Sequence, residues 1–268
     1  MVRKLLGAAI VLAISLALVG CAQAGGTGPA DTSAQDSSSN AAAGTSAQVE
    51  NASSAADEAA SDLRSYTVAR IDGNIDASAD IDWSGIAQLD IDNAQWLDAY
   101  GILAHAQLCY DDEALYVHMW AEEQDIRAEH SKDELCPSCY EDSCLEFFIT
   151  PVGGDARYMN FEFNPNCAVC SEIGTHKEDR VALVPRDDIY NASSALTDDG
   201  WEIFYEVPFD YLRNFFPGFE VQSGSQVRAN FYKCGNLTAN KHYLSWNPID
   251  SDTPNFHMPE SFGLLIFG

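Results

Sequence analysis

From Ser65 onward the chain breaks into short apolar runs separated by turn residues. Ala104 to Tyr110 and Leu115 to Ala121 alternate around the acidic turn Asp111-Asp112-Glu113, which predicts a β-hairpin. Ser143 to Thr150 and Tyr158 to Asn164 flank Pro151-Val152-Gly153-Gly154-Asp155 and predict a second one. Trp201 to Pro208, Gln226 to Lys233, Tyr243 to Trp246 and Gly263 to Phe267 read as further strands. Short helical turns are expected near Gln95–Ala99 and Asp210–Phe215. Many short strands without βαβ alternation predict an all-β fold, an antiparallel β-sandwich of jelly-roll or immunoglobulin-like kind. Within Cys144 to Ile149 the two-residue period puts Leu145, Phe147 and Ile149 on one face. Cys144, Glu146 and Phe148 share the other, where a carboxylate needs solvent, a partner or a ligand.

Upstream the texture is different. Residues 22–64 are mostly Ala, Ser, Gly, Thr, Asp, Asn and Gln, with no aromatic, a composition that buries too little to offset the entropy of ordering. Residues 1–20 carry Arg3 and Lys4 ahead of the apolar stretch Leu5 to Leu18, too short for a comfortable membrane span. Leu18-Val19-Gly20-Cys21 resembles a bacterial lipobox, whose cysteine takes a diacylglyceryl group before cleavage. Three regions are therefore expected: a lipoprotein signal peptide at 1–20, a lipidated tether at 21–64, and one folded domain at 65–268. The protein is expected to be extracytoplasmic and lipid-anchored to the cell membrane through Cys21.

The full chain of 268 residues has 14 Lys+Arg against 41 Asp+Glu, a formal charge of −27. That sign argues against nucleic acid as a partner and against docking on anionic lipid through a basic face. It suits neutral ligands or cations.

Four segments, in order and spacing, resemble family 9 carbohydrate-binding modules and related DOMON-like sandwiches. They are Tyr140-Glu-Asp-Ser-Cys-Leu-Glu-Phe-Phe-Ile149, Tyr158-Met-Asn-Phe-Glu-Phe-Asn164, Asn230-Phe-Tyr-Lys-Cys-Gly235, and Leu244-Ser-Trp-Asn-Pro-Ile249 followed by Asn255-Phe-His-Met-Pro-Glu-Ser-Phe-Gly263. The resemblance spans about residues 66–268. It implies a β-sandwich, noncatalytic sugar binding and, in some members, structural calcium. It also implies a sugar held between two aromatics, whose nearest matches are Tyr140 and Phe256, where the family often has Trp. Glu146 matches a glutamate that contacts sugar hydroxyls. Glu162 stands where the family has a basic residue, and Asn230 or Tyr232 matches a polar side chain on a later strand. Independently of the resemblance, aromatic and polar residues adjoin at Tyr140-Glu141-Asp142 and Asn255-Phe256-His257, as stacking on a sugar's apolar face with hydroxyls at its rim requires. Trp201 and Trp246 sit inside apolar strands and are expected in the core.

Cys21 aside, seven cysteines remain. Cys136/Cys139 and Cys167/Cys170 form two C-x-x-C pairs, and Cys139 and Cys167 each lie fourteen residues from Gly153. A hairpin centred there would bring all four sulfurs together beside Tyr140, as two disulfides or a tetrahedral zinc site. Cys109, Cys144 and Cys234 read as buried strand thiols.

His105, His118, Met119, His257 and Met258 are candidate haem ligands, but no C-x-x-C-H motif accompanies them. Asp90, Asp92 and Asn93, or alternatively Asp80 and Asp82, are oxygen donors for calcium without an EF-hand loop. There is no Gly-x-Ser-x-Gly, P-loop or His-Glu-x-x-His, and no carboxylate pair singles itself out as a glycosidase acid and base. The expected function is noncatalytic carbohydrate binding at the membrane, serving a glycan-degradation system. The competing readings are a haem-binding or electron-transfer domain and a metal-stapled protein-interaction domain.

Overall fold

A computed structural model describes residues 63–73 and 75–268. The expected signal peptide, Cys21 and residues 21–62 of the expected tether lie outside the described residues. Among the described residues no helix is long and apolar enough to cross a membrane.

The described chain is a β-sandwich of thirteen strands: β1 Ser65–Arg70, β2 Gln88–Asp90, β3 Leu103–Tyr110, β4 Ala114–Glu122, β5 Cys144–Thr150, β6 Tyr158–Phe163, β7 Val169–Gly174, β8 Val181–Ala182, β9 Ser193–Leu196, β10 Gly200–Pro208, β11 Gln226–Gly235, β12 His242–Ser245 and β13 Gly263–Phe267. One helix, α1 (Phe209–Phe215), follows β10. The strands run β8-β7-β6-β5-β11-β13-β1-β3-β4-β10-β9 in one curled sheet, with β12 on β11 and β2 on β3. β1 is the corner: Ser65 to Val68 pair with β13, and Ala69 and Arg70 pair with β3. These two pairings are parallel, whereas every other strand pairing is antiparallel, as the sequence pattern predicts.

Both predicted hairpins form, β3–β4 and β5–β6. Gly154, at φ +83°, turns the second, a conformation that favours glycine. The predicted helical turn at 210–215 is α1, but 95–99 is not helical. There the side chains of Gln95 and Trp96 instead donate to the carbonyls of Ile249 and Ser251, which ties the segment to the 247–251 stretch.

The core lies between the two halves of the sheet. It takes Leu145, Phe147 and Ile149 from β5, Met159, Phe161 and Phe163 from β6, and Trp201 and Trp246. The opposite face of β5, β6 and β11 is buried as well, because residues 247–262 fold over it and build a second cluster around Phe148, Tyr158, Tyr232, Phe256 and Phe262. That double covering explains why β5 and β6 are buried along their whole length. Gly263 allows the close fit: a Cβ there would come within 2.5 Å of the Trp246 ring.

Candidate functional site

The covered face of β5, β6 and β11 opens at one end into a cavity. Its floor is Glu146, Glu162 and Cys234. Glu146 lies directly across from Tyr232 on one side and Glu162 on the other. Tyr140 stands on one wall, on a one-turn 3-10 segment, Cys139–Glu141. Pro254, Asn255, Phe256 and His257 form another. Asn236, Tyr243, Lys177 and Arg180 complete it.

The Asp-Ser of the Asp-Ser-x-x-Glu strand holds Tyr140 in place. Asp142 is fully buried, and its Oδ2 accepts from the backbone N–H groups of Glu129 and His130 and from Asn164 Nδ2. Ser143 bonds Arg127 through backbone and hydroxyl. The long β4–β5 connection is thereby tied to the end of β6. Asn236 and Leu237 then donate backbone bonds to Tyr140 and Glu141, which attaches the turn to β11.

Tyr140 is 43% exposed and Phe256 only 8%. Phe256 packs flat on Tyr232 and edge-on to Tyr243, so it serves as a wall. Tyr232 lies behind Phe256, outside the cavity lining. Asn230 is also outside it: its side chain donates to the Asn247 carbonyl and accepts from the Asn247 N–H, stitching β11 to the covering segment. The cavity therefore gathers Tyr140, Glu146, Glu162, Asn255 and Phe256 and leaves Asn230 and Tyr232 as supports.

A basic side chain reaches Glu162 from outside its own strand. Arg180, in the β7–β8 connection, pairs with Glu172 and lies 4.0 Å from Glu162. Burial pushes the carboxyls of Glu146 and Glu162 well above the usual carboxylate range. The mutual charge of the pair adds to this for Glu162, and Arg180 opposes it for both. Cys234 Sγ donates to Glu146 Oε1 at 3.0 Å. His257, bonded to Tyr158 and half-buried, is pushed down to about 3 by desolvation and by the nearby Arg180 and is neutral.

Asn236, Tyr243, Lys177 and Arg180 were not among the expected residues. Asn236 carries the alternation Asn230, Tyr232, Cys234 three residues past the predicted strand end at Lys233, because the strand runs on to Gly235. Arg180 carries no local signal, since a turn between two short strands delivers it.

The four C-x-x-C cysteines do not converge as one unit. Cys136 and Cys170 form a disulfide. Cys139 is buried beside them as a free thiol, donating to the Ala168 carbonyl. Cys167 points away, to Ser194 Oγ. The hairpin register ends at Phe163, and Asn164 to Cys167 then turn, with Cys167 at φ +56°. Extrapolating hairpin symmetry past that turn misplaces Cys167, so a four-cysteine zinc site is not formed. Cys109, Cys144 and Cys234 are buried thiols as expected.

Four of the five calcium candidates make other side-chain bonds. Asp82 caps Ser84, Asp90 bonds Gln88 and His105, Asp92 pairs with Arg64, and Asn93 bonds Ser245 and Trp246. The haem candidates are dispersed: His105 and His118 stack on either side of Trp120 on the other half of the sheet, Met119 points into the core, and His257 lies at the cavity.

A curled β-sandwich with an aromatic and carboxylate cavity on the covered face of one sheet defines a class of small-ligand binding module. The family described as "Carbohydrate-binding family 9" matches residues 77–267, and the chain belongs to that family. It is similar to a crystal structure of a proposed carbohydrate-binding protein from Bacteroides uniformis, at 28% identity and a TM-score of 0.65, over 77% of this chain and 100% of that one. It shares its fold with a family 9 carbohydrate-binding module from Caldicellulosiruptor kristjanssonii, seen in complex with glucose (14% identity, TM-score 0.53, 76% of this chain and 96% of that one). The same module in complex with cellotriose matches at 14% identity and a TM-score of 0.53, over 76% and 93% of the two chains. Comparison with curated proteins finds no match.

Proposed function

We propose that the chain is a noncatalytic carbohydrate-binding lipoprotein, held outside the cell membrane by acyl groups on Cys21, that takes a short sugar into the cavity beside Tyr140. The observation that carries the reading is the composition of that cavity. An exposed tyrosine ring offers a face for the apolar side of a sugar, and Glu146, Glu162, Asn255, Asn236 and Arg180 surround it with hydrogen-bonding groups. At about 250 Å³ the cavity is smaller than most small-molecule pockets, which favours a chain end over the middle of a long polymer. The solved relative with glucose and cellotriose makes β-glucose units the first ligands to try. A glycan-degradation system is the natural user of such a tether-borne module.

The test is calorimetric titration of the protein with glucose, cellotriose and a panel of other short glycans, beside the Tyr140→Ala variant. Saturable binding that weakens in the variant supports the reading. Silence across the panel with an intact fold would favour a protein-interaction role instead. The anchor is tested separately: Cys21→Ser should move the protein from the membrane fraction to the soluble one.

A further inference from the structure

The floor of the cavity also holds a cluster of sulfur and carboxylate donors, in which Glu146 is shared with the sugar site. Cys144 and Cys234 are direct partners across the β5–β11 ladder, and Glu146 follows two residues along the same face. Their two sulfurs and a carboxylate oxygen all lie within 4.8 Å of one another. Cys234 and Glu146 line the cavity, whereas Cys144 is closed off beneath them.

Glu146 is 2% exposed and has no cation in contact. Its close partner is the Cys234 thiol, while Arg180 is engaged by Glu172. Without a counter-charge a carboxyl buried there keeps its proton, and a metal ion would supply the charge that lets it ionise.

We propose that Cys144, Cys234 and Glu146 bind one thiophilic divalent cation, with zinc as the probe. Two thiolates and one carboxylate form a three-ligand set of the kind zinc uses when a fourth position is left open. Zinc–sulfur bonds of about 2.3 Å in a tetrahedron put two sulfurs roughly 3.8 Å apart, so the trio needs only side-chain closure, not strand movement. The fourth position faces the cavity, because the two ligands that line it are on that side. Binding releases the two thiol protons and the carboxyl proton of Glu146 to solvent and leaves the site with one net negative charge. This set is distinct from the C-x-x-C cysteines: Cys136 and Cys170 are consumed by their disulfide, and Cys167 lies elsewhere. The proposal does not depend on the sugar reading, since it concerns metal uptake by the free protein.

The experiment uses the full chain without reductant, loaded with zinc, desalted and assayed for bound metal, then loaded with cobalt to read sulfur-to-metal charge transfer. One equivalent of zinc and a thiolate–cobalt band are expected. Cys144→Ser and Cys234→Ser should each weaken uptake by more than the roughly 10–100-fold that losing an outer-shell partner costs. Cys167→Ser should leave it unchanged. Circular dichroism shows whether each variant is folded, and the cobalt band, which also diminishes in Glu146→Gln if the carboxylate is a ligand, reads the site in a variant with both thiols intact. No uptake by a chain whose Cys144 and Cys234 are thiols by mass spectrometry overturns the proposal. So does uptake that persists in both folded serine variants, or isolation of the chain with a Cys144–Cys234 disulfide.

Discussion

Tyr232 lies flat against Phe256, with ring centroids 4.1 Å apart and an interplanar angle of 9°, and its hydroxyl donates to the Phe256 carbonyl at 3.0 Å. The pair fastens the covering segment to β11, so one residue of the expected sugar clamp is also part of the packing. Phe256→Ala should therefore cost about 3 kcal/mol or more of stability as well as weakening sugar binding. Tyr232→Phe keeps the stack and should cost only about 1 kcal/mol. Denaturant melts of both variants check the ratio, and equal costs would mean that the hydroxyl matters as much as the ring.

Tyr140 is the opposite case. Its exposed ring is held by backbone bonds from Asn236, not by burial. Tyr140→Ala should leave the melting temperature within a degree or two, as for most surface changes. It should weaken glycan binding by about 1–3 kcal/mol if the ring stacks on sugar. Unchanged affinity would move the contact to Tyr243.

Glu146 makes stability depend on pH. Its folded pKa is raised above the ordinary value of 4.5, chiefly by burial, so the native state holds a proton that the unfolded chain releases. Stability from this group is full below about 4.5 and is lost as pH climbs toward the folded pKa. Glu146→Gln, which is neutral at every pH, should flatten that decline and raise the melting temperature at neutral pH. Melting curves from pH 4 to 8 test it, and parallel profiles for the two proteins would refute it.

The Cys136–Cys170 bridge closes a loop across 34 residues that carries Tyr140. Breaking it with Cys136→Ser should cost about 2–4 kcal/mol, the usual range for a loop of this length. A thermal melt with and without reductant gives the check: the native protein should shift and the variant should not.

Lys233 and Glu123 are both buried, with Nζ 3.1 Å from Oε2. His242 accepts from the same ammonium at 2.8 Å, and burial together with that neighbouring charge lowers it to about 4, so it is neutral. Lys233→Met strands the Glu123 charge and should destabilise by about 3–5 kcal/mol. The double change Lys233→Met with Glu123→Leu should recover much of that loss, as chemical denaturation would show.

The two hairpins and the two faces of β5 were legible because a period of two is written directly in Cys144 to Ile149. β7, β8 and β9 were not read, since they are short and carry polar residues. β1 was missed because a six-residue run at the start of the domain declares nothing about a partner at β13. The cavity floor was legible through Glu146 and Glu162, which are cross-strand neighbours in a readable hairpin. Arg180 was not, because it reaches the site by way of a turn. Cys167 was misplaced for the complementary reason: a tight turn at residues 164–167 breaks a symmetry that the spacing alone suggests.

The parallel pairing of Ser65 with Leu264 joins residues 199 apart in sequence. β13 sits between β11 and β1, so it is the strand that unites the two halves of the sheet. A nascent chain emerging from the ribosome can form the local hairpins early, but the Gln226 to Ala229 edge of β11 stays bare until β13 has been made. Such non-local closure is slow, and an open edge invites pairing with other chains. Fragments that stop short of residue 263 should therefore aggregate instead of yielding a smaller folded domain, and expression trials are best designed around a chain that keeps β13 whole and unburdened by a bulky fusion at its end.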